Sequence, residues 1–204
     1  MFEFIDKVVY INLDERQDRK KRVESELKKY FPSEKMQRFN AIKYKDAHKT
    51  NGYIGCARSH IAVLEMAIQQ NWKNVLVVED DAIWSNFEIG YPILEKLIKN
   101  RFDVITLGVT CAKYDKSNYK LLDGQSTTGY LINNHYYNTL IDNLKTGIEH
   151  LLYSDNHSKY ALDQYWKILQ AKDTWFCVVP SLLVQGPSYS DIEKKNVNYI
   201  KYFL

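Results

Sequence analysis

Asn74-Val75-Leu76-Val77-Val78-Glu79-Asp80-Asp81-Ala82-Ile83-Trp84 is the stretch around which the chain is read. Val75 to Val78 form a continuous apolar run rich in β-branched residues, the composition of a strand buried on both faces of a parallel sheet. The run leads directly into three carboxylates, Glu79, Asp80 and Asp81. Adjacent carboxylates repel one another, and burying them unpaired is costly. A cluster at the C-terminal end of a buried strand predicts a bound cation, at the edge where open α/β sheets place their ligands. Oxygen-only donors suit Mg²⁺ or Mn²⁺ better than zinc. The alternative is a solvated acidic turn after a core strand.

Upstream, Lys7–Leu13 predicts a first strand, followed by the charged run Asp14 to Arg22. Asp14 is placed to cap a helix reaching about Tyr30, with Val23, Leu27 and Tyr30 at helical spacing. Its charges read either as a solvated helix face with i,i+4 pairs such as Asp18–Arg22, or as Arg16 or Arg19 meeting a phosphate at the sheet edge. Lys35–Ala41 predicts a second strand and Ile42–Thr50 a loop. Gly52 and Gly55 then predict a tight turn into a helix from Arg58 to about Asn71. On that reading Ser59 and His60 sit in the first turn, where free N–H groups receive an anion. The alternatives are an ordinary helix-start hydroxyl and a packed imidazole.

Downstream, Phe87 to Asn100 predicts a helix with Ile93, Leu94, Leu97 and Ile98 inward, and Phe102–Leu107 a strand. The alternation implies a largely parallel sheet flanked by helices. After Gly108 the pattern loosens: 109–124 is polar with a possible strand at Tyr119–Leu122. Thr127–Ile132 predicts a strand, His135–Leu144 a helix, Ala161–Gln170 a short helix, and Trp175–Val179 a strand ending at Pro180. Leu182–Val184 predicts a further strand-like piece and the residues from about Asp191 a peripheral tail. With no repeat or linker, one domain is expected over 1–204, with a nucleotide-binding half to residue 107 and an acceptor half over 108–190.

The 204 residues suffice for one ordinary core, and 45% hydrophobic and 26% charged residues suit a soluble globular protein. A net charge of +3 is too small to argue for nucleic acid. Sixteen tyrosines would suit a sugar- or partner-binding surface, or reflect codon usage. The three cysteines, Cys56, Cys111 and Cys177, are odd in number and form no CxxC pair, which favours reduced thiols. The five histidines show no zinc-finger or HExxH spacing. The N-terminus lacks the pattern of a signal peptide and no apolar run is long enough to span a bilayer. These features predict a cytoplasmic protein, at a membrane only by peripheral association.

Three blocks together resemble glycosyltransferase family 25: Val9-Tyr10-Ile11-Asn12-Leu13-Asp14 with Arg16 and Arg19, Gly55-Cys56-Ala57-Arg58-Ser59-His60, and Val77-Val78-Glu79-Asp80-Asp81-Ala82. Weaker blocks at Leu107-Gly108, Thr128–Ile132 and Pro180 to Ile192 continue it. The family includes bacterial lipooligosaccharide galactosyltransferases and procollagen hydroxylysine galactosyltransferases. The resemblance implies an α/β GT-A-like fold, a UDP-galactose or UDP-glucose donor, transfer with inversion to a glycan or collagen-like protein, and Mn²⁺ (or Mg²⁺) as cofactor. The acidic turn takes the place of that fold's Asp-x-Asp motif, with Asp81 the foremost metal ligand and Glu79 or Asp80 the second.

On the same resemblance Asn12, Leu13, Arg16, Arg19, Ser59, His60 and Asp80 become donor contacts. Inversion needs a base for the acceptor hydroxyl. Asp163 is the candidate, with Asp155 and Asp191 as alternatives; for Asp163 the competing reading is an acid placed at a helix start by the dipole. Thr128, Gly129, Tyr130 and Trp166 are candidate acceptor contacts, against a strand-entry turn and core packing. Two other functions compete: a nucleotidyltransferase, although neither Walker A nor GxGxxG occurs, and a nucleotide-sugar-binding module without turnover.

Overall fold

The computed structural model describes residues 1–45 and 50–204. The first half follows the predicted alternation: β1 (Lys7–Asn12), α1 (Gln17–Leu27), β2 (Met36–Asn40), α2 (Asn51–Gln69), β3 (Asn74–Glu79), the short β4 (Ala82–Trp84), α3 (Phe87–Leu97) and β5 (Val104–Thr106). The second half holds a hairpin of β6 (Thr110–Tyr114) and β7 (Leu121–Gln125), then β8 (Gly129–Asn133) and α4 (Tyr137–Ser154). Three single turns of helix follow, α5 (His157–Tyr160), α6 (Leu162–Tyr165) and α7 (Lys167–Gln170). The chain ends with β9 (Trp175–Cys177), β10 (Leu183–Gln185), β11 (Ser188–Ser190) and β12 (Lys195–Val197).

The central sheet has the order β2-β1-β3-β8-β5-β9. Five strands run one way and β8 alone runs against them, antiparallel to both β3 and β5. The mostly parallel α/β sheet flanked by helices is therefore present. The reversal of β8 matters for the site: it brings the start of that strand, rather than its end, to the edge where β1 and β3 finish. Glu79 N–H donates to Thr128 O across this edge at 3.1 Å.

Val75 to Val78 are fully buried, as the apolar run requires. Successive strand side chains point to opposite faces. Val75 and Val77 join the core under α2 and α4 with Val9, Ile11, Leu64 and Leu140. Leu76 and Val78 join the core under α1 and α3 with Val8, Tyr10, Val23 and Leu94. Burying each of these aliphatic side chains contributes about 1.5–3 kcal/mol.

Several local expectations are corrected. Asp14 does not cap α1: the helix begins at Gln17 after Arg16 and has no side-chain cap, while Asp14 pairs with Arg38. Helix α2 begins at Asn51, seven residues before the predicted start, so Gly52 and Gly55 are helical. The use of Gly55 is close approach, since a Cβ there would stand 2.5 Å from the Ile42 carbonyl oxygen. Ser59 holds the same segment, accepting from Ile42 N–H and donating to Gly55 O, each at 2.8 Å. The loop predicted over 42–50 lies partly outside the described residues. The helix predicted over Ala161–Gln170 breaks into α6 and α7 around Trp166, and α4 runs ten residues beyond the expected Leu144.

The strand-like piece expected over Leu182–Val184 is β10 and folds back across the acidic turn, while the residues expected as a tail from about Asp191 include β12, paired with β11. Strand β10 pairs antiparallel with β4, placing Gln185 opposite Ala82, and Gly186 N–H donates to Asp81 O at 2.8 Å. Phe203 bridges to Thr110 at the start of β6. Among the described residues no helix is long and apolar enough to cross a membrane.

Candidate active site

Strand β3 ends at Glu79, and the turn at residues 80 and 81 sends its carboxylates away from that of the glutamate. Glu79 keeps the parity of Val75 and Val77 and faces α2. Its Oε1 accepts from the Thr127 hydroxyl at 2.7 Å and lies 3.8 Å from Cys56 Sγ and 3.7 Å from His60 Nε2. Asp80 faces α1, accepting from Asn12 Nδ2 at 2.7 Å and pairing with Arg19 at 2.8 Å. Asp81 accepts from Gln185 Nε2 at 2.8 Å and lies 3.3 Å from the Arg19 guanidinium. Its second oxygen, Oδ1, is buried and has no hydrogen-bond partner among the described residues.

The electrostatics follow from this packing. Burial raises the Asp80 carboxyl, with Arg19 and Asn12 opposing. Burial, then the Glu79 charge, raises Asp81, and the single guanidinium of Arg19 only partly offsets them. One arginine is thus shared between two buried acids beside a third. A buried carboxylate oxygen without a partner costs about 1–3 kcal/mol or more, so Asp81 Oδ1 fits a cation in chemistry and position.

A cavity of about 670 Å³ opens beside the turn, within the range of small-molecule sites. Cys56, Glu79, Thr127, Asp163 and Gln185 line one part of its wall, and Tyr199, Tyr202 and Phe203 from the chain's end line another. Asp163 is held on this wall by Ser126 N–H at 3.1 Å and Gln164 Nε2 at 3.3 Å. Burial raises its carboxyl, and the charge of Glu79 adds to the rise against these hydrogen bonds. Asp155 instead caps the end of α4 with a left-handed backbone, and Asp191 pairs with Arg16, so neither lies on this wall.

The other predicted site residues separate into groups. Asn12 is buried and links Arg16 O, Asp80 and Arg38. Leu13 is half-buried beside it, and its carbonyl accepts from Arg16 N–H at 2.9 Å. Arg16 is held by Asp18, Asp191 and the Tyr189 carbonyl. Arg19 also donates to Ser188 Oγ and Tyr189 O. Both arginines expected at a phosphate therefore face this chain's own acids and its C-terminal segment.

Ser59 and His60 are fully buried in the interior of α2, which removes the helix-start anion site. That correction follows from the earlier start of α2: their backbone N–H groups are spent on helical bonds. Thr128 is buried with its hydroxyl against Ser126 Oγ. A Cβ on Gly129 would stand 2.4 Å from Leu183 Cδ1, so the glycine admits β10. Tyr130 and Trp166 are 1% exposed and meet edge to face at 5.7 Å. Tyr130 Oη contacts His60 Nδ1 and Trp166 Nε1 donates to Gly124 O. These two rings are core, not cavity wall, which is the core-packing alternative weighed against their use as sugar platforms.

Sequence reading missed Cys56, Gln185, Thr127 and the terminal aromatic residues. For Cys56 the signal was present: Cys56 and His60 are four apart, which stacks them on one face once the segment is known to be helical. Gln185 and Tyr202 carry no such local mark.

A six-stranded, mostly parallel sheet with helices on both faces and an acidic turn at the end of its central strand defines a GT-A-like transferase fold. The chain belongs to glycosyltransferase family 25 (LPS biosynthesis protein), whose sequence profile matches residues 5–157, and it is accordingly a glycosyltransferase. A comparison with curated protein sequences found no match. Among solved structures, it is similar to a glycosyltransferase involved in the glycosylation of the major capsid of PBCV-1, at 8% identity and a TM-score of 0.55, covering 92% of this chain and 95% of that one. It is also similar to mannose-1-phosphate geranyltransferase from Thermus thermophilus, at 9% identity and a TM-score of 0.49, covering 84% and 72%. At these identities the first likeness supports the fold and says nothing of substrate.

Proposed function

We propose that the protein is a metal-dependent inverting hexosyltransferase that moves galactose or glucose from a UDP-sugar to a glycan or hydroxylysine-type acceptor. The observation that carries this reading is the buried, unpartnered Asp81 Oδ1 at the end of β3, in an acidic turn with one shared guanidinium. Asp81, with Asp80 or Glu79 as the second carboxylate, would hold Mn²⁺ or Mg²⁺. When bound, the ion supplies positive charge against the diphosphate leaving group.

The chain's own residues would do the rest. Asn12 and Asp80 fix the floor of the donor site through their mutual hydrogen bond. Arg16 and Arg19 stand at the same edge; exposed pairs such as Arg16–Asp18 are worth less than about 1 kcal/mol and yield readily to a phosphate. Asp163 takes the acceptor hydroxyl proton as the new bond to the anomeric carbon forms and the bond to the nucleotide breaks. Its raised basicity suits that role, and the Ser126 and Gln164 bonds hold the carboxylate in place. Ser126, Thr127 and the tyrosines of the terminal segment form the wall an acceptor would meet.

A UDP-release assay over a panel of UDP-sugars, with and without Mn²⁺, tests the reading. Metal-dependent release from one UDP-hexose supports it. Release of pyrophosphate from a nucleoside triphosphate instead would indicate a nucleotidyltransferase, and tight UDP-sugar binding with no release to any acceptor would indicate an inactive binding module.

A further inference from the structure

Behind the cavity wall, Cys56, His60 and Glu79 place one sulfur, one nitrogen and one oxygen within 4.8 Å of one another. Cys56 and His60 come from successive turns of α2 and Glu79 from the end of β3. The His60 ring is fully buried, and its Nε2 has no hydrogen-bond partner among the described residues although it is aimed at Glu79 Oε1. At 3.7 Å that contact is too long for a hydrogen bond. The other ring nitrogen, Nδ1, faces Tyr130 Oη at 2.9 Å. With the proton on Nδ1 and directed at the phenol oxygen, the lone pair of Nε2 points into the cluster. The described bonds to this trio come from Thr127 and Tyr130, both neutral, so no lysine or arginine among the described residues pairs with Glu79 here.

We propose that Cys56, His60 and Glu79 form a site for a single zinc-class divalent ion, distinct from the oxygen-donor site at Asp81. A tetrahedral zinc with bonds of about 2.0–2.3 Å spaces its donors roughly 3.3–3.7 Å apart. The Glu79–His60 and Glu79–Cys56 separations of 3.7 and 3.8 Å are close to that spacing. A mixed sulfur, nitrogen and carboxylate set selects Zn²⁺, Co²⁺ or Fe²⁺ over Mg²⁺ and Mn²⁺. Tyr130 supplies the outer hydrogen bond that fixes the imidazole tautomer, and Thr127 orients the carboxylate. On binding, the Cys56 S–H bond breaks, sulfur bonds to the ion, and the proton leaves to solvent. Three protein donors leave one position open. Cys56 and Glu79 line the cavity while His60 lies behind them, so that position faces the cavity and takes a water or a ligand oxygen.

Titration of the metal-free full chain with Co²⁺ tests this without any sugar donor. The expected result is a saturable thiolate-to-cobalt charge-transfer absorption at one ion per chain, bleached by Zn²⁺ and not by Mn²⁺. Cys56→Ser removes the band, His60→Gln weakens cobalt binding at least about 10-fold, and Tyr130→Phe weakens it about 10- to 100-fold while keeping the band. Cys111→Ser, at an exposed thiol, and Asp81→Asn both keep it. A folded wild-type chain that gives no band overturns the proposal, whatever the variants do. So does a band that survives in Cys56→Ser, one lost in Cys111→Ser, or one lost in Asp81→Asn, which would place both ions in one site.

Discussion

The two sides of the acidic turn differ more than their sequence suggests. On the α1 side, Asp80 and Asp81 meet Arg19, Asn12 and Gln185, and the returning C-terminal segment covers them. On the α2 side, Glu79 meets a thiol, an imidazole and a hydroxyl and borders an open cavity. The strand ends at Glu79, and the turn that follows carries Asp80 and Asp81 together to Arg19, so the three consecutive acids do not share one environment. The lesson is that an acidic triplet divides its labour. One side has a guanidinium and an oxygen left over; the other has no lysine or arginine pair among the described residues but has soft donors and an approach for substrate.

The largest effect that sharpens this contrast is expected on turnover. Asp81→Ala lowers the rate of UDP release by about 10³-fold or more, on the scale of losing a preorganised charge clamp, while circular dichroism stays native. A variant that keeps most of its rate would remove Asp81 from the chemistry. Next, Asp163→Asn slows transfer by about 10²–10⁴-fold and spares donor affinity; equal loss of donor binding would assign that residue to the donor instead.

The same variant has a stability signature. The folded Asp163 carboxyl is raised above its ordinary value by burial, so the native state holds its proton more tightly than the unfolded chain. Its contribution to stability therefore falls as pH rises from the ordinary carboxylate range through the raised folded value. Asp163→Asn removes that loss: the variant melts higher than wild type at neutral pH, and the gap closes in acid. A gap that widens in acid would reverse the sign assigned to burial.

Arg19→Met tests the α1 side alone. It strands two buried carboxylates and costs about 3–5 kcal/mol in urea unfolding, with addition of Mn²⁺ recovering part of the loss. A neutral result would mean that the acids there are already balanced. The smallest effect belongs to Arg16→Ala, which loses pairs with the more exposed Asp18 and Asp191 and costs less than about 1 kcal/mol. A cost as large as that of Arg19→Met would show that the terminal segment is held chiefly through Arg16.

The strand Val75–Val78, the acidic turn, the first strand and the helix after it were legible because apolar runs and helical periodicity are local properties of the chain. Family membership was legible for a related reason: short blocks in fixed order survive where overall identity is low. The start of α2 was not legible, because Gly52 and Gly55 carry the local mark of a turn, whereas Gly55 serves the approach of Ile42 O. Moving that start by seven residues changes Ser59 and His60 from anion-binding backbone to buried side chains. Tyr130 and Trp166 admit either platform or core from sequence; only their neighbours decide, and those neighbours are core.

The sequence alone determined that a buried strand ends in three acids, that helices alternate with strands around it, and that the chain belongs among glycosyltransferases. Only the tertiary structure decided which acid meets which partner. The reversal of β8 delivers Thr127 to Glu79, the return of β10 delivers Gln185 to Asp81, and helix α2 sets Cys56 and His60 on one face. Each depends on contacts between residues far apart in the chain, where local propensity carries no information and packing alone selects the pairing.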